Sequence, residues 1–183
     1  MKNSPEYTKQ LEKLHSKKSF GTATGAPKIL TDFLVDHPVS SILDFGCGKG
    51  TPLDTIKSDT MDIYSYDPIT HPIELPEKVD LVYSRDVLEH IEPEQIDTVL
   101  ENLFTIGTKY QHHFIACHPS KKALSDGRNA HLIIEKPEWW KNKIQQIPGW
   151  KIIYEHVKGP KIKQLRHLKI EIVKYTVVLE RQD

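Results

Sequence analysis

The sequence predicts an α/β fold of the doubly wound kind, with a mostly parallel sheet that finishes in an antiparallel C-terminal strand pair. Three observations predict it. Ile42, Leu43 and Phe45 form a short apolar run, the pattern of a buried parallel strand, and Gly46-Cys47-Gly48-Lys49-Gly50 follows with glycine at every second position. A helix start comes directly after: Thr51 as N-cap, Pro52 in the first helical position, and Asp54 where a carboxylate favours the amide-rich end. Far along the chain, Val173, Tyr175, Val177 and Leu179 alternate as a half-buried strand does.

The remaining elements follow in order. Residues 5–18 and 26–36 read as helices, the second with Ile29, Leu30, Phe33 and Leu34 at helical spacing, and Phe20-Gly21-Thr22-Ala23-Thr24-Gly25 between them is a flexible turn suited to a lid. Ile63-Tyr64-Ser65-Tyr66-Asp67 is a second strand ending in an acid, and Val79–Ser84 is a further buried strand. Asp86 reads as the N-cap of a helix-like Val87-Leu88-Glu89-His90 segment, with His90 tying that turn to the core. A helix from Pro93 carries Ile96, Val99, Leu100 and Leu103 on one face, and His113-Phe114-Ile115-Ala116-Cys117 is its partner strand. Pro137 opens a helix through Trp139 and Ile144. Residues 150–158 and 168–180 make the closing pair, with a turn at Gly159-Pro160.

The glycine turn is built for a nucleotide-like ligand, because its glycines remove the side chains that would hold one away. It is not a dinucleotide fingerprint: the third glycine comes one residue early, at Gly50, and Thr51 stands where that pattern has glycine. Asp44 discriminates further. A carboxylate at the mouth of the turn repels a pyrophosphate, whereas S-adenosyl-L-methionine brings an ammonium and a sulfonium and no phosphate. Asp67, at the end of the neighbouring strand, is placed to accept hydrogen bonds from both ribose hydroxyls.

Asp44-Phe45-Gly46-Cys47-Gly48-Lys49-Gly50, then Asp67, then Val79-Asp80-Leu81-Val82-Tyr83-Ser84-Arg85-Asp86-Val87-Leu88-Glu89-His90-Ile91, resemble the three ordered motifs of class I S-adenosylmethionine-dependent methyltransferases. The resemblance covers roughly residues 40–118 and implies a Rossmann-like fold that binds S-adenosyl-L-methionine. One departure matters. Twelve residues separate Asp67 from Asp80, too few for a helix, a strand and a second helix when one crossover alone needs a dozen or more, so the third strand is reduced or absent and 68–78, with Pro68, Pro72 and Pro76, is loop. The family's adenine contact after that strand then needs replacements. Pro68-Ile69 as an apolar face and the Ser84-Arg85-Asp86 turn as an edge acceptor are the candidates. The cofactor set is therefore Asp44, Gly46, Cys47, Gly48, Gly50, Asp67, Pro68, Ile69, Ser84, Arg85 and Asp86.

Composition agrees with one enzyme domain over 1–183: N-terminal helices and a candidate lid over 1–38, then the core over 39–183. A hydrophobic content of 38% with 27% charged residues is ordinary for a water-soluble globular chain. With no apolar signal region at the N-terminus and no run near the about eighteen apolar residues of a span, a cytoplasmic protein is expected. Cys47 and Cys117 match neither disulfide nor metal-knuckle spacing, and no metal is expected. Zero net charge hides an asymmetry. Residues 51–101 carry thirteen acids and three bases, while 136–183 carry eleven bases and five acids, with Lys158, Lys161, Lys163, Arg166 and Lys169 around the Gly159-Pro160 turn.

Transfer chemistry is expected where the parallel strands end. In-line methyl transfer needs alignment and, for a hydroxyl, a base. His131, in Asp126-Gly127-Arg128-Asn129-Ala130-His131, is the first candidate base and His118 the second. Neither an Asn- or Asp-Pro-Pro-aromatic turn nor a Pro-Cys turn is present, so the acceptor is expected to be a small molecule rather than nucleic acid. Arg128 and the basic loop would suit an anionic or sugar-like one. A nicotinamide-dependent oxidoreductase, which would have to tolerate Asp44, and a non-catalytic binding protein are the alternatives. The acceptor's identity and the oligomeric state are left open.

Overall fold

A computed structural model of the chain describes residues 3–165 and 168–182. Helices α1 (Pro5–His15) and α2 (Lys28–Asp36) precede β1 (Ser41–Phe45), β2 (Asp62–Tyr66), β3 (Val79–Arg85), α3 (Ile96–Ile106), β4 (Gly107–Ala116), α4 (Pro137–Gln145), β5 (Trp150–Leu165) and β6 (Leu168–Arg181). One six-stranded sheet runs β2-β1-β3-β4-β6-β5. The pairs β1/β2, β1/β3 and β3/β4 are parallel, and β4/β6 and β5/β6 are antiparallel.

Strand alternation sends successive side chains to opposite faces. Ile42, Leu81 and Tyr83 meet Leu30 of α2 and Leu53 on one face. Leu43, Phe45 and Val82 meet Val99, Leu100 and Leu103 of α3 and Trp140 and Ile144 of α4 on the other. Helix α1 belongs to neither layer. Ser4 caps it by accepting from the Tyr7 amide, and Tyr7, Leu11 and Leu14, one helical face, pack on Leu124 and Ala130. The Ser4 hydroxyl and amide also reach the Glu92 carboxylate at 2.6 and 2.8 Å, which ties α1 across the loops at the C-terminal ends of the strands.

The expected missing strand is missing: Asp67 and His71 form one isolated bridge, and 72–78 carries neither helix nor strand. Three expectations need correction. The helix after the glycine turn is only a 3₁₀ segment, Pro52–Ile56; Thr51 sits at φ +37° and its hydroxyl donates to Asp54 instead of capping an amide. The strand expected at 113–117 starts at Gly107 and stops at Ala116, while the Cys117 amide still donates to Val173. Gly159-Pro160 is not the hairpin tip. Pairing shifts register there and resumes from Lys161↔Ile172 to Leu165↔Leu168, since Gly159, at φ +114°, lets the Ile172 carbonyl approach where a Cβ would sit 2.3 Å away. Arg166 lies outside the described residues. Among the described residues no helix is long and apolar enough to cross a membrane.

Candidate functional site

The ends of β1, β2 and β3 open into a cavity of about 390 Å³, roofed by α1 and residues 19–23. Gly46, Cys47, Gly48, Asp67, Pro68, Arg85 and Asp86 of the expected set line it. The roof is strapped down by the glycine turn. The Lys49 amide donates to Gly21 at 2.6 Å, and the Lys49 ammonium to the His15 and Lys17 carbonyls at 2.8 and 2.9 Å. Gly50 does not face the cavity. A Cβ there would lie 2.0 Å from the Ala23 carbonyl, so this glycine is what lets the 20–25 segment close over the turn. From the other side, the Lys122 ammonium donates to Ser19 at 2.7 Å and sits 4.8 Å over the Phe20 ring.

The two acids expected to hold the cofactor behave differently. Asp44 is 2% exposed, is not part of the cavity wall that Phe45 and Gly46 form, and has a buried Oδ2 with no hydrogen-bond partner among the described residues. Burial, then the nearby Asp54 and Asp67 carboxylates, push its pKa up to about 7. An orphaned acceptor beneath a glycine turn fits a ligand that brings a cation. Asp67 is also buried, and its Oδ1 is already used: the Ile69 and Thr70 amides both donate to it at 2.9 Å. Only Oδ2 remains for a ligand.

Other expected residues are placed elsewhere. The Ser84 side chain points into the interior and pairs with His113 Nδ1 at 2.8 Å, because strand parity at 84 faces the α3 layer; it cannot be an edge acceptor in the cleft. Ile69 packs with the α1 cluster and leaves the apolar wall to Pro68. Asp86 is no N-cap. It sits at φ +53°, its side chain caps nothing, and its carboxylate pairs with Lys174 at 2.9 Å. Cys47 is a buried thiol whose pKa burial raises, which disfavours the thiolate form. Sequence reasoning missed Tyr7, Leu11 and His15 on the wall, since nothing local signals that α1 folds back over the sheet, and it missed Gln95 and Val99 at the start of α3.

A second cavity of about 320 Å³ adjoins the first, sharing Ser19, Phe20, Gly21, Asp86 and His90. Its wall includes His118, His131, Lys121, Lys122 and Lys174. Asn129 sets the loop that carries His131, its Oδ1 accepting from the Ser120 and His131 amides at 2.9 Å each. The His131 Nδ1 lies 2.6 Å from the His118 carbonyl, and the His118 Nδ1 2.8 Å from the Val173 carbonyl. A carbonyl only accepts, so each Nδ1 carries a proton, and in the neutral ring it is Nε2 that holds the lone pair. Burial lowers the His131 pKa. Lys163 of the β5 arm stands beside Lys121 and lowers the Lys121 pKa, so two ammonium groups crowd at the cavity's rim.

The model of a methyltransferase domain family matches residues 21–169. The chain belongs to this methyltransferase family. A search of curated proteins finds no match. Among solved structures, this methyltransferase is similar to the Burkholderia thailandensis 1,6-didemethyltoxoflavin-N1-methyltransferase with bound 1,6-didemethyltoxoflavin and S-adenosylhomocysteine: TM-score 0.62 at 14% identity, over 100% of this chain and 92% of that one. It is similar to an S-adenosylmethionine-dependent methyltransferase from Methanosarcina mazei, with TM-score 0.54 and 10% identity, over 86% and 99%. The Synechocystis magnesium protoporphyrin IX methyltransferase with bound S-adenosylhomocysteine gives 0.50 and 12%, over 100% and 89%. At these identities the likeness concerns the fold. With the family match, the enzyme is an S-adenosylmethionine-dependent methyltransferase, and S-adenosyl-L-methionine is its cofactor.

Proposed function

We propose that this methyltransferase moves a methyl group to an oxygen or nitrogen of a small, anionic or sugar-like acceptor seated in the second cavity. The observation that carries this reading is the set of three lysines, Lys121, Lys122 and Lys174, around a cavity that shares a wall with the glycine-turn cavity. The Burkholderia neighbour, crystallised with a small molecule, supports a small acceptor. The cofactor supplies an electrophilic methyl on sulfur. Asp44, beneath the turn, attracts its cationic amino-acid end over Gly46–Gly48, Asp67 Oδ2 takes the ribose, and Pro68, Arg85 and Asp86 border the adenine. The Nε2 lone pair of His131 accepts the acceptor's proton, with His118 as the second imidazole on the same wall.

Matched acceptor pairs test the anionic reading, each a sugar and its phosphate, assayed for labelled-methyl incorporation and for thermal stabilisation with S-adenosylhomocysteine present. The phosphorylated member is expected to respond, and Lys121→Met to raise its KM about tenfold, about one charged hydrogen bond's worth. Equal response to both members overturns it.

The Asp44 assignment carries a pH dependence. In the free protein Asp44 titrates near 7, and a bound ammonium favours its ionised form. Binding then expels a proton, so affinity strengthens as pH rises toward 7 and levels off above it. Below that point it should weaken by about tenfold per pH unit at most. Calorimetric titration from acid to neutral pH checks this, and Asp44→Asn should flatten the profile.

A further inference from the structure

Behind the wall of the second cavity, Glu89, His90 and His131 bring one ligand atom each to within 4.8 Å of one another. We propose that these three side chains bind one divalent transition-metal ion, of the class that takes imidazole and carboxylate together, at the floor of the acceptor cavity. The first argument is where the protons are. His90 Nδ1 lies 2.6 Å from the Ala130 carbonyl and His131 Nδ1 2.6 Å from the His118 carbonyl, so both rings donate through Nδ1 and keep an Nε2 lone pair. A backbone carbonyl on the far nitrogen is the outer partner that metal-bound histidines commonly have. The rings meet edge to face at 4.8 Å, with neither offering the other a proton.

Glu89 supplies the second argument. It is fully buried, its Oε1 accepts from the Ala116 amide at 3.2 Å, and its Oε2 has no partner among the described residues. An unpaired buried carboxylate oxygen is costly. One ligand atom from each of the three side chains lies within 4.8 Å of the other two, so a cation there would be held by the carboxylate and both imidazoles. Glu89 and His90 are neighbours on the single 3₁₀ turn Leu88–His90, and the Asn129-held loop delivers His131 from about forty residues later. Ligand distances of roughly 2.1 Å would place the three atoms roughly 3.4 Å apart, a modest closure from 4.8 Å. Three protein ligands leave coordination positions open, and His90 and His131 both line the acceptor cavity.

What such an ion would do rests on the acceptor-cavity reading; whether it binds does not. An ion there would engage the same His131 lone pair that otherwise serves as base, and an acceptor oxygen could complete its shell. The test is therefore read without acceptor. Protein dialysed against chelator is titrated with Co²⁺ and followed by the ligand-field absorption of the bound ion, with S-adenosylhomocysteine binding as the control for folding. One saturable site per chain is expected. His131→Gln and Glu89→Gln should weaken it by about tenfold or more, and His118→Gln should not. Should Glu89→Gln fail the folding control, the wild-type titration and His131→Gln decide alone. No saturable Co²⁺ binding, or equal binding in a folded His131→Gln variant, overturns the site. Failure of the phosphorylated-acceptor assay with intact Co²⁺ binding would overturn only the anionic reading.

Discussion

Replacing His131 by Gln leaves S-adenosylhomocysteine affinity within about twofold, roughly 0.4 kcal/mol, and lowers turnover on a hydroxyl acceptor about 100-fold or more. The geometry separates the two effects. His131 lines the second cavity and not the glycine-turn cavity, so its loss removes no cofactor contact. Its neighbours hold it in one orientation: the His118 carbonyl fixes the tautomer and Asn129 fixes the backbone. Glutamine keeps a donor for that carbonyl but has no comparable basic nitrogen. Single-turnover kinetics at saturating cofactor, with calorimetry for affinity, measure both quantities. A turnover loss below about tenfold leaves His131 a positioning residue.

At Asp67 the informative substitution is not alanine. Alanine removes Oδ2 from the proposed ribose position but also removes the Oδ1 acceptor for the Ile69 and Thr70 amides, which shapes the turn bearing Pro68. Asparagine keeps an acceptor for those amides and places an NH₂ where the ribose hydroxyls need a carboxylate. Asp67→Asn should weaken S-adenosylhomocysteine by about 1–3 kcal/mol, roughly 5- to 150-fold, with the melting temperature of the free protein nearly unchanged. Asp67→Ala should lose at least as much affinity and some stability besides. Unchanged affinity in the folded asparagine variant moves the ribose elsewhere.

The parts of the fold legible in the sequence are those set by short-range physics. Buried strands announce themselves as apolar runs at 42–45 and 79–84, and three prolines between Asp67 and Asp80 deny the space and the amides that a third strand would need. Where local preference competes with packing, the reading slips. Thr51 and Pro52 have the chemistry of a helix start, yet the Thr51 hydroxyl turns to Asp54 and one 3₁₀ segment is all that forms. Gly159-Pro160 looks like a turn, yet the strand runs through it, because Lys161–Leu165 still finds a partner in Leu168–Ile172.

The sequence by itself determined the doubly wound class and the glycine turn with its two flanking acids, since spacing along one chain segment encodes both, and the resemblance of its three motifs pointed to the family. Tertiary structure alone decided the rest. It turned Ser84 inward and Asp86 onto Lys174, used Gly50 to seat the 20–25 strap, and laid α1 over the site through pairs such as Gln10 with Asp126. It also left Glu89 buried with an unpaired oxygen beside two imidazoles. The physical reason is contact distance along the chain: a hydrogen bond between residues 116 positions apart, like that of Gln10 and Asp126, leaves no periodicity in either segment and exists only once the sheet has brought their loops together.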